Sequence, residues 1–136
     1  MLVGSAEMME QARIFRKALG GGMRQVGILA AAGLIALEKM PARLHEDHAN
    51  ARLLAEALSH MECVDIDLDS VETNIVIFKL RGGVNASELV ARLKARGVLI
   101  STVGPDAIRA VTHHDVSRND CLAGIEALSA EVEVAA

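Results

Sequence analysis

The stretch NIVIFKL, residues 74–80, decides the fold class of this chain of 136 residues. It is rich in branched side chains, which favour an extended strand. Residues 63–66, 98–101 and 108–112 read as shorter strands on either side of it. Helices come before this strand and alternate with strands after it. The simplest arrangement packs helices on one side of a small, largely antiparallel sheet, so the predicted class is α+β, with the strand order left open.

Three helices are predicted upstream of this strand, over residues 5–19, 23–39 and 41–59. Ser5 suits the cap of the first helix, and Gly20 ends it. The second helix contains the charge-free run VGILAAAGLIAL, which is apolar on all sides, as expected of a helix surrounded by protein. The 12 residues of this run are too few to cross a bilayer, which takes about 20.

Two pairs with the spacing of a capping box mark the helices downstream of the strand. Asn85 and Glu88 open a helix that Gly97 closes, and Ser117 and Asp120 open a final helix. The side chains that we expect to face inward from the third and the final helix are Leu44, His48, Ala51, Leu54, Ala55, Leu58, Leu122, Ile125, Leu128 and Val132.

Composition narrows the class of protein. The chain has a net charge of -4, two Phe, and neither Trp nor Tyr, so it lacks the basic surface and the aromatic platforms that nucleic-acid binding uses. Cys63 and Cys121 have no metal-ligand spacing and are too few for a disulfide framework, which indicates a reducing compartment. The first residues carry no signal peptide. We therefore expect a cytoplasmic protein of one domain's length that binds neither nucleic acid nor a membrane.

The segment KALGGGMRQ, residues 17–25, places three glycines between cations. Glycine loses more backbone freedom on ordering than any other residue, so such a run indicates a turn that only glycine can make or a close approach to another group. With Arg24, its backbone N–H groups could cradle an anion at the start of the following helix. Because neither the dinucleotide fingerprint nor the nucleotide-phosphate loop pattern is matched, the residues alone favour the alternative, a flexible turn between helices whose cations are solvated.

Histidines occur in two short clusters. The segment HEDH, residues 45–48, is not the H-E-x-x-H arrangement that places two imidazoles on one metal. Because His48 falls on an apolar stripe, we favour a hydrogen-bonded interior or interface histidine over a metal ligand, and we assign no metal site. His45, His113 and His114 receive no role, and the last two suit a turn.

Arg109 lies within the predicted strand of the segment IRAVTHHDVS, with apolar neighbours on both sides. An arginine in that setting is costly to bury unless it meets an anion. Its planar guanidinium can form two parallel hydrogen bonds with a carboxylate, which a lysine cannot do. The residues leave two partners open, and of these we favour a structural salt bridge over a bound ligand.

Four stretches, taken in order, resemble one family. RKALGGGMRQVGILAAAGLIAL, ARLHEDHANARLLAEAL, TNIVIF and the segment from GVLI to IRAVTHHDVS are similar to the C-terminal part of the low-specificity threonine aldolases, over residues 2–132. These enzymes are β-eliminating lyases that use pyridoxal 5'-phosphate on the aspartate-aminotransferase fold, fold type I. The resemblance implies cleavage of β-hydroxy-α-amino acids such as threonine to glycine and an aldehyde, with the cofactor as electron sink.

The resemblance also implies an organisation and a set of site residues. Residues 1–40 match the helices that link the large and small domains, and residues 41–136 match the small domain. Arg109 matches the arginine that binds the substrate α-carboxylate, and Arg24 matches one that reaches the cofactor phosphate across a subunit boundary. Lys17 matches a lysine near the same site, with a less defined role. A homo-oligomer, a dimer or tetramer, is implied, with the glycine turn close to a neighbouring subunit's cofactor.

One departure from the family bears on activity. The family's imine-forming lysine lies just upstream of the strand that ends in VGS, which is where this sequence begins. The aspartate and histidine that contact the cofactor ring belong to the large domain. We therefore expect a C-terminal portion that needs the N-terminal large domain, binds no cofactor covalently and has little activity alone. The alternative is a catalytically inactive stand-alone module for oligomerisation or interaction, derived from that family.

Overall fold

The structure, a computed structural model, describes residues 2–133 of the chain. The predicted α+β class is confirmed, because these residues form helices and one small antiparallel sheet. The elements are α1 (Ala6–Ala18), α2 (Gly27–Glu38), α3 (Leu44–Ser59), β1 (Val64–Asp65), β2 (Ile75–Leu80), α4 (Ala86–Ala95), β3 (Ser101–Thr102), β4 (Ala107–Val111) and α5 (Arg118–Glu133), with short 3₁₀ turns at Met40–Arg43 and Leu68–Ser70.

The chain divides into two compact units, one ending at Pro41 and the other starting at Ala42. The first contains α1 and α2, and the second contains the sheet with α3, α4 and α5. Among residues 2–133, none of the helices combines the length and the apolar character that crossing a bilayer requires.

The sheet has the strand order β1-β2-β4-β3, and every neighbouring pair is antiparallel. One of its faces packs against α3, α4 and α5, and this is where the core lies. Alternate residues of β2 are buried, as expected for a strand with one covered face. The largest fully buried side chains are Leu58, Val76, Phe78, Leu89, Leu93, Ile108 and Leu128.

Local capping fixes the helix ends where the sequence predicted them. The side chain of Asn85 accepts hydrogen bonds from the backbone N–H groups of Ser87 and Glu88, at 2.9 and 3.2 Å. At the start of α5, the Ser117 N–H donates to the Asp120 carboxylate at 2.9 Å, and the Asp120 N–H donates to Ser117 Oγ at 3.2 Å. This reciprocal pair is the capping box.

The cap of α1 is also confirmed. Ser5 Oγ accepts a hydrogen bond from the backbone N–H of Met8 at 3.3 Å. Gly20 follows the helix with a left-handed φ of 81°, a conformation that glycine adopts without a steric penalty.

Helix α2 departs from the prediction in two ways. It begins at Gly27 rather than at residue 23, because Gln25 has a left-handed φ of 49° that a helix cannot contain. None of its residues is buried, and Ile28 is 86% exposed. The expectation of a helix surrounded by protein is therefore wrong for the chain that the structure describes. Apolar residues on every side show that the helix favours contact with other apolar surface, but the described part of the chain does not provide that contact.

The buried stripe of α3 is confirmed at Ala51, Leu54, Ala55 and Leu58 but differs from the prediction in its first turns. Leu44 is exposed and His48 is half-buried, whereas the polar residues Asp47 and Asn50 are buried. The Asp47 carboxylate is stabilised by its charge contact with Arg43, whose Nη2 lies 3.3 Å from Oδ1, although Oδ1 accepts no hydrogen bond. A charge partner one helical turn away makes the burial of this carboxylate tolerable.

The bounds of β3 and the buried residues of α5 also differ from the prediction. Strand β3 is limited to Ser101–Thr102, because the N–H of Val98 donates to the Leu93 carbonyl and so belongs to the turn that ends α4. In α5, Cys121 is buried and Leu122 is 44% exposed. Leu128 and Val132 are buried and Ile125 packs against the core, as predicted, so the prediction is wrong only at Leu122, whose place is taken by Cys121.

Candidate functional site

Arg109 stands in the middle of the sheet face that the helices do not cover. In register, it lies opposite Ile77 of β2 on one side and opposite Ser101 of β3 on the other. We call this surface the outer face, and it is formed by Ile75, Ile77, Lys79, Ser101, Arg109 and Val111.

The hydrogen bonds of the sheet show how closely Ile77 and Arg109 approach. The Leu80 N–H donates to the Asp106 carbonyl at 2.8 Å, so these two residues form a hydrogen-bonded pair. Hydrogen-bonded and non-hydrogen-bonded pairs alternate along an antiparallel ladder. The pair Ile77 and Arg109 lies three residues along the strand from the pair Leu80 and Asp106, so it is a non-hydrogen-bonded pair. Side chains are closest in such pairs, with Cα atoms about 4.5 Å apart. The arginine stem therefore lies directly beside an apolar side chain.

Three of the five other residues of the outer face are apolar, and the guanidinium of Arg109 has no charge partner there. Ile75, Ile77 and Val111 are 44, 49 and 42% exposed on the same face. Among residues 2–133, Arg109 forms no ion pair and no side-chain hydrogen bond, so the structural salt bridge that the sequence left open is not found. A cation beside apolar side chains attracts an anion more strongly than one surrounded by water. The arrangement suits a bound carboxylate.

Buried hydrogen bonds fix the end of β4, three residues beyond Arg109. Thr112, which is 2% exposed, donates from Oγ1 to the Asp47 carbonyl of α3 at 2.7 Å. Asn74 Nδ2 donates to the Thr112 carbonyl at 2.7 Å. These bonds join residues that are far apart in the chain. In the sequence, the one signal of them is that a threonine and an asparagine lie at the ends of predicted strands. They hold the strand that carries Arg109 against the helix layer.

The glycine run is shaped by crowding within its own turn. Gly20 has a left-handed backbone, as described above. A Cβ on Gly21 would lie 3.2 Å from the Arg16 carbonyl oxygen, and a Cβ on Gly22 would lie 2.8 Å from Cδ of Lys17. The chain therefore folds back tightly against the end of α1, and each glycine has a reason to be there.

This turn also presents cations without counterions. Lys17 and Arg24 are exposed, and within the described residues neither forms an ion pair. Gln25, next to Arg24, holds the left-handed φ of 49° that turns the chain into α2. Exposed cations beside glycine backbone are a favourable setting for a phosphate or another anion.

The histidines make separate contacts and do not converge. His45 Nδ1 is 3.1 Å from the Ala42 carbonyl, and His113 Nδ1 is 3.7 Å from the Asp115 carboxylate. His48 is half-buried and His114 is exposed. Within residues 2–133, no three His, Cys, Asp or Glu side chains are grouped as metal ligands would be.

Among the titratable groups of residues 2–133, Asp120 and Cys121 have a shifted pKa. Hydrogen bonds from the Ser117 side chain and backbone hold the pKa of Asp120 below its ordinary value. Burial raises the pKa of the Cys121 thiol, and the nearby Asp120 charge adds to this. A thiol that stays protonated is a poor nucleophile, so the cysteine is a packing residue.

Comparison with known proteins identifies a family. The family model described as beta-eliminating lyase matches residues 1–81. The low specificity L-threonine aldolase of Escherichia coli K12 is 45% identical over 118 residues, which are 87% of this chain and 34% of that protein. Low-specificity L-threonine aldolase 1 of Arabidopsis thaliana is 38% identical over 122 residues, covering 88% of this chain and 34% of that protein. The chain thus spans about a third of the length of the curated relatives that it matches.

Solved structures give the fold. A PLP-dependent aminotransferase from Streptococcus suis has a TM-score of 0.73 at 14% identity, covering 98% of this chain and 37% of that one. The cystine C-S lyase C-DES, solved with its product cysteine persulfide, has a TM-score of 0.64 at 21% identity, covering 76% of this chain and 28% of that one. The predicted architecture, a part of fold type I, is confirmed.

Proposed function

Because the chain belongs to the beta-eliminating lyase family, we propose that it is the C-terminal portion of a threonine-aldolase-type lyase that depends on pyridoxal 5'-phosphate. The complete enzyme would cleave β-hydroxy-α-amino acids such as L-threonine and allo-threonine to glycine and an aldehyde. The observation that carries this proposal is the unpaired guanidinium of Arg109 on an apolar sheet face. The aldolases of Escherichia coli and Arabidopsis, which align with most of this chain, support it.

Arg109 is the residue that we expect to bind the α-carboxylate of the substrate. Its guanidinium offers two parallel N–H groups to the two carboxylate oxygens, which fixes the plane of the carboxylate as well as its position. Ile77 beside it keeps water from one side of this ion pair and so strengthens it. Binding at a fixed orientation sets how the rest of the amino acid is presented for bond cleavage.

Arg24 is the residue that we expect to bind the phosphate of pyridoxal 5'-phosphate in a neighbouring subunit, with Lys17 close by. The turn fits such a group, because both cations are exposed and without a counterion in the described chain. When bound, the cofactor supplies the electron sink that cleavage of the Cα–Cβ bond requires. We expect the lysine that holds the cofactor to come from a part of the enzyme outside these 136 residues.

The organisation follows from the same proposal. Residues 1–40 would link the large and small domains, and residues 41–136 would form the small domain. The division of the chain after Pro41 supports this boundary. A homo-oligomer follows if Arg24 acts across a subunit boundary.

The test uses the product of the natural gene, purified with an antiserum raised to this chain. We expect an intact mass more than twice that of 136 residues and cleavage of L-threonine with added pyridoxal phosphate. With the substitution Arg109→Gln introduced in the gene, KM for threonine should rise about a hundredfold, because charged hydrogen bonds to the substrate are lost. The control is Arg81→Gln, since Arg81 pairs with Asp65 at the surface, 2.6 Å away, and should leave KM unchanged.

Arg24 is tested in the same protein by the affinity for the cofactor. Arg24→Gln should weaken binding of pyridoxal phosphate, while KM for threonine stays near the original value at saturating cofactor. A gene product that cleaves no threonine, or an Arg109→Gln variant with unchanged KM, would overturn the proposed function.

The exposed apolar surface of α2 favours a second candidate, a stand-alone interaction module without catalysis. Ile28, Leu29 and Leu37 are 86, 59 and 55% exposed. Apolar surface of this kind drives association. Light scattering of the purified 136-residue chain should then show a particle that grows with concentration, and a monomer at every concentration would count against this candidate.

A further inference from the structure

We propose that Ser101 is a second substrate-binding residue, whose hydroxyl donates a hydrogen bond to the carboxylate that Arg109 binds. The inference rests on the proposed function of Arg109 and names one more contact in the same site. It begins from the register of the sheet, in which Ser101 of β3 and Arg109 of β4 are direct partners.

The ladder places the two side chains on the same face. The Val103 N–H donates to the Ala107 carbonyl at 2.9 Å, so these residues form a hydrogen-bonded pair. Ser101 and Arg109 lie two steps farther along the same ladder and therefore form a hydrogen-bonded pair as well. Partners in such a pair have Cβ atoms about 5.5 Å apart on one side of the sheet. A serine hydroxyl is thus held next to the arginine stem.

The hydroxyl of Ser101 is available for a ligand. Within residues 2–133, its side chain takes part in no hydrogen bond, although it is half-buried. Other serines of the chain use their hydroxyls locally, as Ser59 and Ser70 do by donating to carbonyls in their own turns at 2.7 and 2.6 Å. This hydroxyl is therefore free to donate to an acceptor that comes from outside.

The row Ile77, Arg109, Ser101 runs across three strands and is asymmetric. The guanidinium fork uses one acceptor position on each carboxylate oxygen, and each oxygen can accept a further bond. The direct partner of the arginine on β3 offers a donor for it, whereas its direct partner on β2 is an isoleucine. Lys79, the next outward residue of β2, lies on the diagonal. The carboxylate is therefore held between Arg109 and Ser101, on the side of the arginine that faces away from Ile77.

The experiment compares Ser101→Thr with Ser101→Val in the product of the natural gene, loaded with pyridoxal phosphate. The two side chains have nearly the same shape and differ in the hydroxyl, so folding is matched. We expect Ser101→Thr to keep KM for threonine near the original value and Ser101→Val to raise it about fivefold to tenfold, with a smaller effect on kcat. Thr102→Val, at the next residue and on the other face of β3, serves as a control and should leave KM unchanged.

The effect should also depend on the arginine. In the Arg109→Gln background, Ser101→Val should change KM by less than about twofold, because the carboxylate is no longer held beside the hydroxyl. Equal KM values for the Thr and Val variants, with Arg109→Gln still impaired, would overturn the role of Ser101 and leave the proposed function intact. An Arg109→Gln variant with unchanged KM, or a wild-type product without activity, would overturn both.

Discussion

Thr112 and Asp47 are joined by a hydrogen bond of 2.7 Å from the threonine hydroxyl to the aspartate backbone carbonyl, although they are 65 residues apart. This bond ties the end of β4 to the first turns of α3. Since Arg109 sits on β4, the bond links the helix layer to the strand that carries the candidate carboxylate ligand. The bond holds the strand in place from the buried side, and neither of its atoms lies on the outer face where a ligand would bind.

Substitution of Thr112 by valine should lower the free energy of unfolding by about 1 kcal/mol, because a buried hydrogen bond is lost while the shape is retained. Thr112→Ser keeps the hydroxyl and is the matched control for that bond, with only a methyl group removed. Urea denaturation of the chain measures both. A Val variant as stable as the original would mean that the bond contributes nothing net.

The two faces of β2 should respond very differently to truncation. Phe78 is 1% exposed in the core, whereas Ile77, the preceding residue, is 49% exposed on the outer face. Phe78→Ala should cost about 3 to 5 kcal/mol of stability, because it opens a cavity that the core cannot refill. Ile77→Ala should cost less than about 1 kcal/mol, since its burial is only partial. Unfolding curves of similar midpoint for the two variants would contradict the assignment of the faces.

Two glycines should respond with opposite signs to alanine. Gly20 has a φ of 81°, so Gly20→Ala should destabilise the end of α1 by about 1 to 2 kcal/mol. Gly27 lies in the first turn of α2, and a Cβ added there would meet no other atom within 4 Å. Gly27→Ala should therefore raise the helicity of α2. Hydrogen exchange of the amides in α1 and α2 reports each effect separately. Equal responses at the two sites would show that the backbone at Gly20 is not constrained.

The cap of α5 should make stability depend on pH. The pKa of Asp120 in the folded chain lies below its ordinary value of 3.8, because Ser117 donates hydrogen bonds to the carboxylate. A lowered folded pKa means that the stabilisation is complete above the ordinary value and is lost as pH falls through the folded one. Ser117→Ala should return the pKa of Asp120 toward its ordinary value, as measured by NMR titration of the carboxyl carbon. An unchanged titration would rule out the hydroxyl as the cause.

Local signals in the sequence were sufficient for the capped helix starts, although not for the starts of α2 and α3. Asn85 and Ser117 act within three residues of their own position, so the chain needs no distant contact to form these caps. The position of β2 was likewise predicted from its branched residues, whereas the alternation of buried and exposed side chains along it comes from one covered and one uncovered face of the sheet. The caps depend only on sequence distance, and they were predicted with the correct residues.

The contacts that build the candidate site are of another kind. The pairing of Arg109 with Ile77 and Ser101 depends on the register of three strands, which no local pattern specifies. The burial of Asp47 depends on its charge contact with Arg43 and on the strand end that rests on it, so an apolar stripe could not reveal it. The sequence was therefore enough to select Arg109 as a candidate ligand-binding residue, but its neighbours on the sheet become known only from the fold.

The antiparallel register separates two tasks by the parity of the residue number. In β2 and β4 the even-numbered side chains point into the core. The odd-numbered side chains remain accessible, with the exception of Ala107. Odd-numbered residues of one strand pair with odd-numbered residues of the other. A library that varies only residues 75, 77, 101 and 111 could thus alter ligand preference while the interior stays constant. Insertion of a single residue into β4 ahead of Arg109 would exchange the two sets of that strand, turning the guanidinium toward the core and removing it from the outer face.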